Sequence, residues 1–145
     1  MGLFNSMNVS ASGMTAQRVR TDIIAQNIAN VNTTRDENGE VYKRQNVVFE
    51  EKNVTGFSQI LLRTAGTVGN GVKVASIYTD TESATKLVYD PSNPDANEDG
   101  YVEYPNVDTV QEMTDMIDAT RSYEANVTAF NATKNMALKA LEIGS

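Results

Sequence analysis

The hydrophobic pattern divides the chain into three parts, and the first part has a helical repeat. Apolar side chains recur every three or four residues from about Leu3 to Asn32, which is the spacing of one helix face with a coiled-coil-like repeat. The positions on this face are Phe4, Met7, Ala11, Met14, Thr21 and Ile28. Asparagines follow near the end of the pattern, where they suit helix C-caps and left-handed turns. The pattern predicts an N-terminal helix.

The last part of the chain has the clearer helical pattern. Asp108 and Gln111 are spaced as in a capping box and follow Pro105, so a helix is expected to begin there. Its repeat alternates by three and four without a break through Met113, Met116, Thr120, Tyr123, Val127, Phe130, Lys134, Ala137 and Leu141. The pattern predicts one helix over residues 109–143, about 50 Å long, which Gly144 ends.

The middle part contains short segments rich in β-branched residues. The strand candidates lie at 45–49, 57–62, 72–78, 86–89 and 101–104. Asn70-Gly71 is a tight-turn signal. The fold class predicted is α+β, mainly α, with the two terminal helices paired as an antiparallel coiled coil and a small β-rich middle module. The expected divisions are 1–34, 35–107 and 108–145.

The residues that are missing restrict the possible chemistry. The 145 residues include no Cys and no His, which excludes thiolate and imidazole metal sites, cysteine nucleophiles and the Ser-His-Asp triad. No carboxylate pair stands out as catalytic, so we expect no enzyme, no catalytic or cofactor-binding residues, no metal site and no cofactor. The net charge of −7 would repel a phosphate backbone, and no apolar stretch is long enough to span a membrane. We therefore expect neither nucleic-acid binding nor direct membrane insertion.

The charges are unevenly distributed along the chain. Residues 80–118 hold eleven of the nineteen acids and one base, Lys86, whereas residues 1–35 carry three arginines and one acid. The contrast suggests the hypothesis that charge sets the register between copies of the chain. Replacing Asp115 and Asp118 by Asn without loss of assembly would count against it.

Local motifs leave two other functions open. Residues 95–100 match the start of an EF-hand calcium loop, but Asn106 stands where the bidentate Glu is needed, and an Asx-rich turn is the preferred interpretation. Residues 1–6 fit an N-myristoylation pattern, without the polybasic segment that stable anchoring requires. The Gly-rich residues 66–73 lack the Lys-Ser or Lys-Thr of a phosphate-binding loop and indicate a hairpin turn. Calcium binding and lipid anchoring are the alternatives.

The two amphipathic helices point instead to an assembly subunit. A pair of helices shares one seam, and here that seam includes Arg18 and Lys134. Further copies or partners would cover the remaining apolar side chains, among them Ile23, Ile117 and Leu138. The alternative is a monomer whose helices fold back over the β module.

The same residues resemble a known family. The segments that carry the resemblance are Ser12–Arg18, Ala25–Thr34, Tyr42–Gln45, Gly71–Val74, Val88–Pro91, Gly100–Val102, Pro105–Val107, Glu112–Ile117 and Arg121–Asn126. Together they are similar to the bacterial flagellar basal-body rod protein family, and within it to the proximal rod proteins. Glu40-Val41 and Ser92-Asn93 depart from the pairs that are common in the family.

The resemblance implies a structural, non-enzymatic subunit of the drive shaft of the basal body. It implies export from the cytoplasm without a cleaved signal peptide and a coiled coil of terminal helices lining a helical tube. The implied partners are copies of the same chain, neighbouring rod proteins, and the flagellar export gate with its adaptor protein. The residues expected at the assembly interface are Met7, Met14, Asn27, Ile28, Asn30, Asn32, Met113, Met116, Tyr123, Asn126, Val127, Phe130 and Leu141.

Overall fold

A computed structural model describes residues 2–35, 39–52 and 69–143. In chain order the elements are α1 (Leu3–Ala29), β1 (Gln45–Glu51), β2 (Val72–Thr79), β3 (Lys86–Tyr89), β4 (Tyr101–Tyr104) and α2 (Thr109–Ile143). Two long helices and two small antiparallel sheets therefore make an α+β fold that is mainly α, as expected. The strand candidate at 57–62 and the helix stop at Gly144 lie outside the described residues.

Helix α1 ends three residues before the predicted position, for a local reason. The Asn30 side chain donates to the Gln26 carbonyl oxygen at 2.9 Å, and the Asn30 backbone N–H donates to the same oxygen. The predicted role of asparagine as a C-cap is confirmed here. No residue other than glycine has positive φ in the described segments, so the predicted left-handed turn at these asparagines is wrong.

Helix α2 begins and continues as its pattern predicts. The Asp108 carboxylate accepts the backbone N–H groups of Val110 and Gln111 at 2.9 and 3.3 Å. These two donors lower the pKa of Asp108 below its usual value. The Gln111 side chain completes no capping box, because it donates to Asp115 instead.

The strands form two separate hairpins. In the first sheet β1 pairs antiparallel with β2 from Gln45↔Thr79 to Glu51↔Val72, with a bulge at Val48/Phe49. In the second, β3 pairs antiparallel with β4 from Lys86↔Tyr104 to Tyr89↔Tyr101. All four of these strands lie at, or extend by one or two residues, the segments predicted from the sequence.

Helix α1 lies between α2 and the first sheet. Its Ser12 hydroxyl accepts the backbone N–H of Val72 at 3.1 Å. At the neighbouring Gly71, φ is +93°, and a Cβ would lie 2.2 Å from that hydroxyl oxygen. Only glycine allows this approach. The fold-back over the β module, which was the alternative to an assembly subunit, is thus seen for α1.

The helices run antiparallel and come close together at small residues. Early positions of α1 lie beside late positions of α2, as with Gly13 and Asn126, and late positions lie beside early ones, as with Arg20 and Asp115. A Cβ on Gly13 would lie 2.7 Å from the Asn126 side-chain oxygen. The buried apolar residues of the described segments include Ala16, Ile24, Val102, Val107 and Ala119.

The Gly13 contact leads to a first prediction. Alanine normally favours a helix over glycine by about 1 kcal/mol, but in G13A the new methyl collides with Asn126. We expect the free energy of unfolding to fall by about 1–2 kcal/mol, measured by urea denaturation. In the N126A background the same change should become neutral or stabilising.

The control for an added methyl is G2A, where nothing lies within 4 Å of the new atom. If G13A costs as much in the N126A background as in the original chain, the clash is not the cause.

Candidate assembly surfaces and the polar cluster that positions them

One buried amide joins three distant parts of the chain. The Asn27 side chain donates to the Gln45 carbonyl oxygen at 2.9 Å and to the Glu112 carboxylate at 3.0 Å. Its oxygen accepts the Tyr42 hydroxyl at 2.8 Å and the Gln45 backbone N–H at 2.9 Å. Asn27 therefore uses all four of its hydrogen bonds while almost completely buried.

Charged side chains continue this network at the start of α2. Arg44 donates from Nε to Glu112 at 2.6 Å and from its terminal nitrogen to Asp115 at 3.1 Å. Arg20 of α1 reaches the other oxygen of Asp115 at 3.2 Å. Glu112 is fully buried, so its charge is held by Arg44 and by the Asn27 amide. Pairing of this kind is what a buried carboxylate requires.

A second asparagine ties the network to the loop after β2. The Asn106 oxygen accepts the Arg44 backbone N–H at 2.8 Å, and its amide donates to the carbonyl oxygens of Asp80 and Ser83. We call Asn27, Tyr42, Arg44, Asn106, Glu112 and Asp115 the polar cluster. It fixes the end of α1, the segment before β1 and the start of α2 at one point.

The cluster shifts the pKa values of two of its members. Burial raises the pKa of the Tyr42 phenol above its usual value, and the negative charge of Glu112 raises it further. Burial acts to lower the pKa of Arg44, but the hydrogen bond to Glu112 and the charges of Glu112 and Asp115 outweigh it, so the net shift is upward. Both shifts favour the protonated forms that donate within the cluster.

The surface along which α2 meets α1 overlaps the predicted seam in part. Its small and polar positions are Glu112, Asp115, Ala119, Ser122, Asn126 and Thr133, mostly one residue before the predicted ones. Four residues of the predicted seam, Met116, Val127, Phe130 and Ala137, are also half-buried. Other residues of that repeat stay exposed, such as Met113 and Leu141, so the contact within the chain covers the apolar repeat only in part.

Large apolar side chains of α2 stay exposed outside this contact. Val110 is 75% exposed, and Met113 and Ile117 are each 53% exposed. They are spaced by three and four residues and share one face of the helix. We call these three residues the outer α2 stripe. Farther along the helix, Leu138 and Leu141 are also exposed.

The expected interface residues differ in their placement. Asn27 is buried in the polar cluster, and Asn126 packs against Gly13. The exposed ones are Asn32, Met113, Tyr123 and Leu141. The half-buried ones are Met7, Met14, Ile28, Asn30, Met116, Val127 and Phe130. Their role between copies of the chain stays a prediction.

The calcium-loop motif forms the expected Asx turns. The Asn97 oxygen accepts the backbone N–H groups of Asp99 and Tyr101, and the Asn93 oxygen accepts that of Asp95. The Asp95 carboxylate accepts the Thr34 hydroxyl at 2.6 Å and lies 3.2 Å from Arg35. Among the residues that the structure describes, no group of three acids is placed to hold a metal ion.

Comparison with known proteins identifies the family. The family described as "Flagella basal body rod protein" matches residues 7–35, and that described as "Flagellar basal body rod FlgEFG protein C-terminal" matches residues 98–143. The chain is 54% identical to the flagellar basal-body rod protein FlgC of Bacillus subtilis, covering 99% of both proteins. Identity is 47% to FlgC of Borreliella burgdorferi and 38% to FlgC of Escherichia coli, again over at least 98% of each protein.

This chain belongs to the FlgC family of flagellar basal-body rod proteins. It is therefore a structural component of the bacterial flagellum, the organelle of motility, and is located in the basal body. Within the described segments, no helix of this rod protein is both long and apolar enough to cross a membrane.

The polar cluster was missed as a site by sequence reasoning. Its members all lie in segments that carry the family resemblance, such as Tyr42–Gln45 and Glu112–Ile117. From the sequence, Asn27 was expected only at an interface between copies and Asp115 only as a charge that sets register. The available signals were the crowded asparagines of α1 and the placement of Glu112 seven residues before Ala119, on the same face of α2. Four of the family's motifs in this rod protein thus supply the parts of one hydrogen-bonded network.

Replacing the buried amide of Asn27 should destabilise the fold. In N27L the Tyr42 hydroxyl, both backbone groups of Gln45 and the Glu112 carboxylate lose a partner. We expect a loss of about 3 kcal/mol in the free energy of unfolding, measured by urea denaturation. N32A is the matched control, since Asn32 belongs to the same motif but is exposed, and it should cost less than about 0.5 kcal/mol. Equal effects would contradict the assigned role.

The raised pKa of Tyr42 predicts alkaline sensitivity. Below about pH 10 the phenol is neutral in both the folded and the unfolded chain, so its contribution to stability is complete. As the pH rises further, the unfolded chain ionises first, and this contribution is lost. Y42F should be less stable than the original chain by about 1 kcal/mol at pH 7, and the difference should shrink between pH 9 and 11. A constant difference in urea midpoints over that range would refute the assignment.

Proposed function

We propose that this rod protein is a proximal rod subunit that assembles through its terminal helices into a helical tube, transmits torque and catalyses no reaction. The observation that carries the proposal is the outer α2 stripe. Large apolar side chains stay exposed there, on a part of α2 that the contact with α1 does not cover. A contiguous exposed apolar surface is typical of an interaction site.

The exposed apolar side chains give a physical reason for association. Covering the outer α2 stripe by neighbouring copies would gain free energy in proportion to the apolar area removed from water. In this proposal the outer α2 stripes of several subunits meet. The antiparallel helix pair of each subunit thereby becomes part of a larger coiled coil.

The three parts of the chain occupy different layers of the proposed tube. Residues 1–34 and 108–145 form the inner helical layer of the tube, and residues 35–107 form an outer layer. Many close contacts between packed helices resist bending and twisting, which is the mechanical requirement for a drive shaft. The interface residues expected from the sequence, with Met113 and Leu141 the most exposed of them on α2, are part of this proposal.

The partners proposed are other copies of the chain, neighbouring rod proteins, and the export gate with its adaptor protein. Export would proceed without cleavage of a signal peptide.

The hypothesis that charge sets the register between copies applies to fewer residues than expected, because Asp115 already binds Arg20 and Arg44 within the chain. Asp118 is the exposed acid left for contacts between copies.

A charge placed on the outer α2 stripe should block assembly without unfolding the subunit. I117D adds a carboxylate at a half-exposed position, so the free energy of unfolding should change by less than about 1 kcal/mol. Swimming in soft agar should nevertheless be lost in a strain whose only copy carries the change.

The matched control is A132D, which adds the same charge at an exposed position of the same helix outside the stripe. Both variants should show the same thermal unfolding by circular dichroism. Motility of I117D equal to that of A132D would overturn the proposal.

A further inference from the structure

The β3–β4 hairpin presents a second uncovered surface. Cross-strand pairing places Leu87 opposite Glu103 and Tyr89 opposite Tyr101, so these four side chains share one face of the sheet. Leu87 is 66% exposed, and the two tyrosine rings meet edge to face at 5.2 Å. We call Leu87, Tyr89, Tyr101 and Glu103 the hairpin face.

The hairpin face forms one wall of a groove. A cavity of about 330 Å³ lies between Leu87, Tyr101 and Glu103 on one side and Thr34 and Arg35 on the other. The opposite face of the hairpin is used within the chain, where Val102 is fully buried and the Lys86 ammonium donates to the Val107 carbonyl oxygen at 2.9 Å. Among the described residues, the groove therefore lies on the face of this hairpin that makes neither of these internal contacts.

The charge around the groove is negative. Residues 80–108 contain eight acids and the single base Lys86, whose ammonium is held by Val107. Arg35 is paired with Asp95. Glu103 accepts a hydrogen bond only from the neutral Thr85 hydroxyl among the described residues. A partner for the groove should combine apolar side chains with a positive charge.

The end of α2 has this combination. Lys134, Leu138 and Leu141 are spaced by four and three residues, so they lie along one face of the helix. All three are exposed, Leu141 to 71%. Within the described chain no acid pairs with Lys134. We call these residues the terminal α2 stripe.

The antiparallel register explains why the terminal α2 stripe is bare. Gly13 lies beside Asn126, and α1 begins at Leu3, so continuing the same register brings Leu3 level with about residue 136. The last turns of α2 extend beyond α1. The stripe spans about 10 Å along the helix axis, and a four-residue hairpin spans about 13 Å, so the two surfaces agree in length.

We propose that the hairpin face of one copy binds the terminal α2 stripe of a second copy, with Glu103 paired to Lys134. This inference rests on the proposed assembly of copies. The two surfaces of one chain cannot meet, because the hairpin joins the start of α2 and Leu138 lies about 45 Å farther along that helix. The contact joins different surfaces of two copies, and such a contact propagates into an open helical assembly.

Cysteine cross-linking tests this contact, since the chain has no cysteine of its own. Full-length L87C and L138C variants are co-expressed in a strain that lacks the native gene, and isolated basal bodies are oxidised. We expect a disulfide-linked dimer of one L87C and one L138C copy. The matched control replaces L138C by M136C, which is similarly exposed on roughly the opposite face of α2 and should give at least about tenfold less product.

A charge exchange tests the Glu103–Lys134 pair in the same assay. E103K on the L87C copy, or K134E on the L138C copy, should each lower the cross-linked yield about tenfold. The two changes together should restore it. If rods accept M136C but exclude L87C or L138C, that result would also support the contact. It counts only when the excluded variant unfolds at the same temperature as the original chain.

Three results would overturn the inference while leaving the proposed function intact. In the first, rods that contain both variants give no cross-link above the M136C control. In the second, L87C links only to itself. In the third, L87C links to a polypeptide of different mass. Failure of the cysteine-free chain itself to enter rods would instead remove the proposed function.

Discussion

The hydrogen bonds of the Asn27 amide hold together elements that are far apart in sequence. They join α1 to Gln45 at the start of β1 and to Glu112 in the first turns of α2. A buried polar group of this kind adds little net stability when all its bonds are made, but an arrangement that leaves it unpaired is costly. The cluster therefore selects one way of joining the helices to the middle segments, and the positions of both hairpins follow from it.

Helix α2 divides its apolar side chains between the contact inside the chain and the exposed surface. The contact with α1 combines small residues such as Ala119 with half-buried apolar ones such as Phe130, and at Gly13 the two helices come too close for an added methyl. The side chains of the outer α2 stripe stay exposed. Part of the possible hydrophobic gain is therefore left for contacts between molecules, and the folded subunit can associate without unfolding.

The sequence predicted local structure better than it predicted long-range contacts. The bounds of α2 and the four described strands follow from periodicity and from the Asp108 cap, because these signals act over a few residues. The polar cluster could not be inferred in this way, since Asn27 and Glu112 are 85 positions apart. The predicted seam overlaps the observed contact only in part, because an apolar repeat reports the most hydrophobic face of a helix. That face also includes residues that meet no partner inside the described part of the chain, such as Met113.

The antiparallel pair also makes the molecule different at its two ends. One end of the pair carries the start of α1 and the bare last turns of α2, and the other carries the polar cluster and the β3–β4 hairpin. Copies stacked in a common direction would therefore expose unlike chemistry at the two tips of the stack. An arriving subunit would meet a different surface at each tip, so elongation would have a direction determined by the subunit itself.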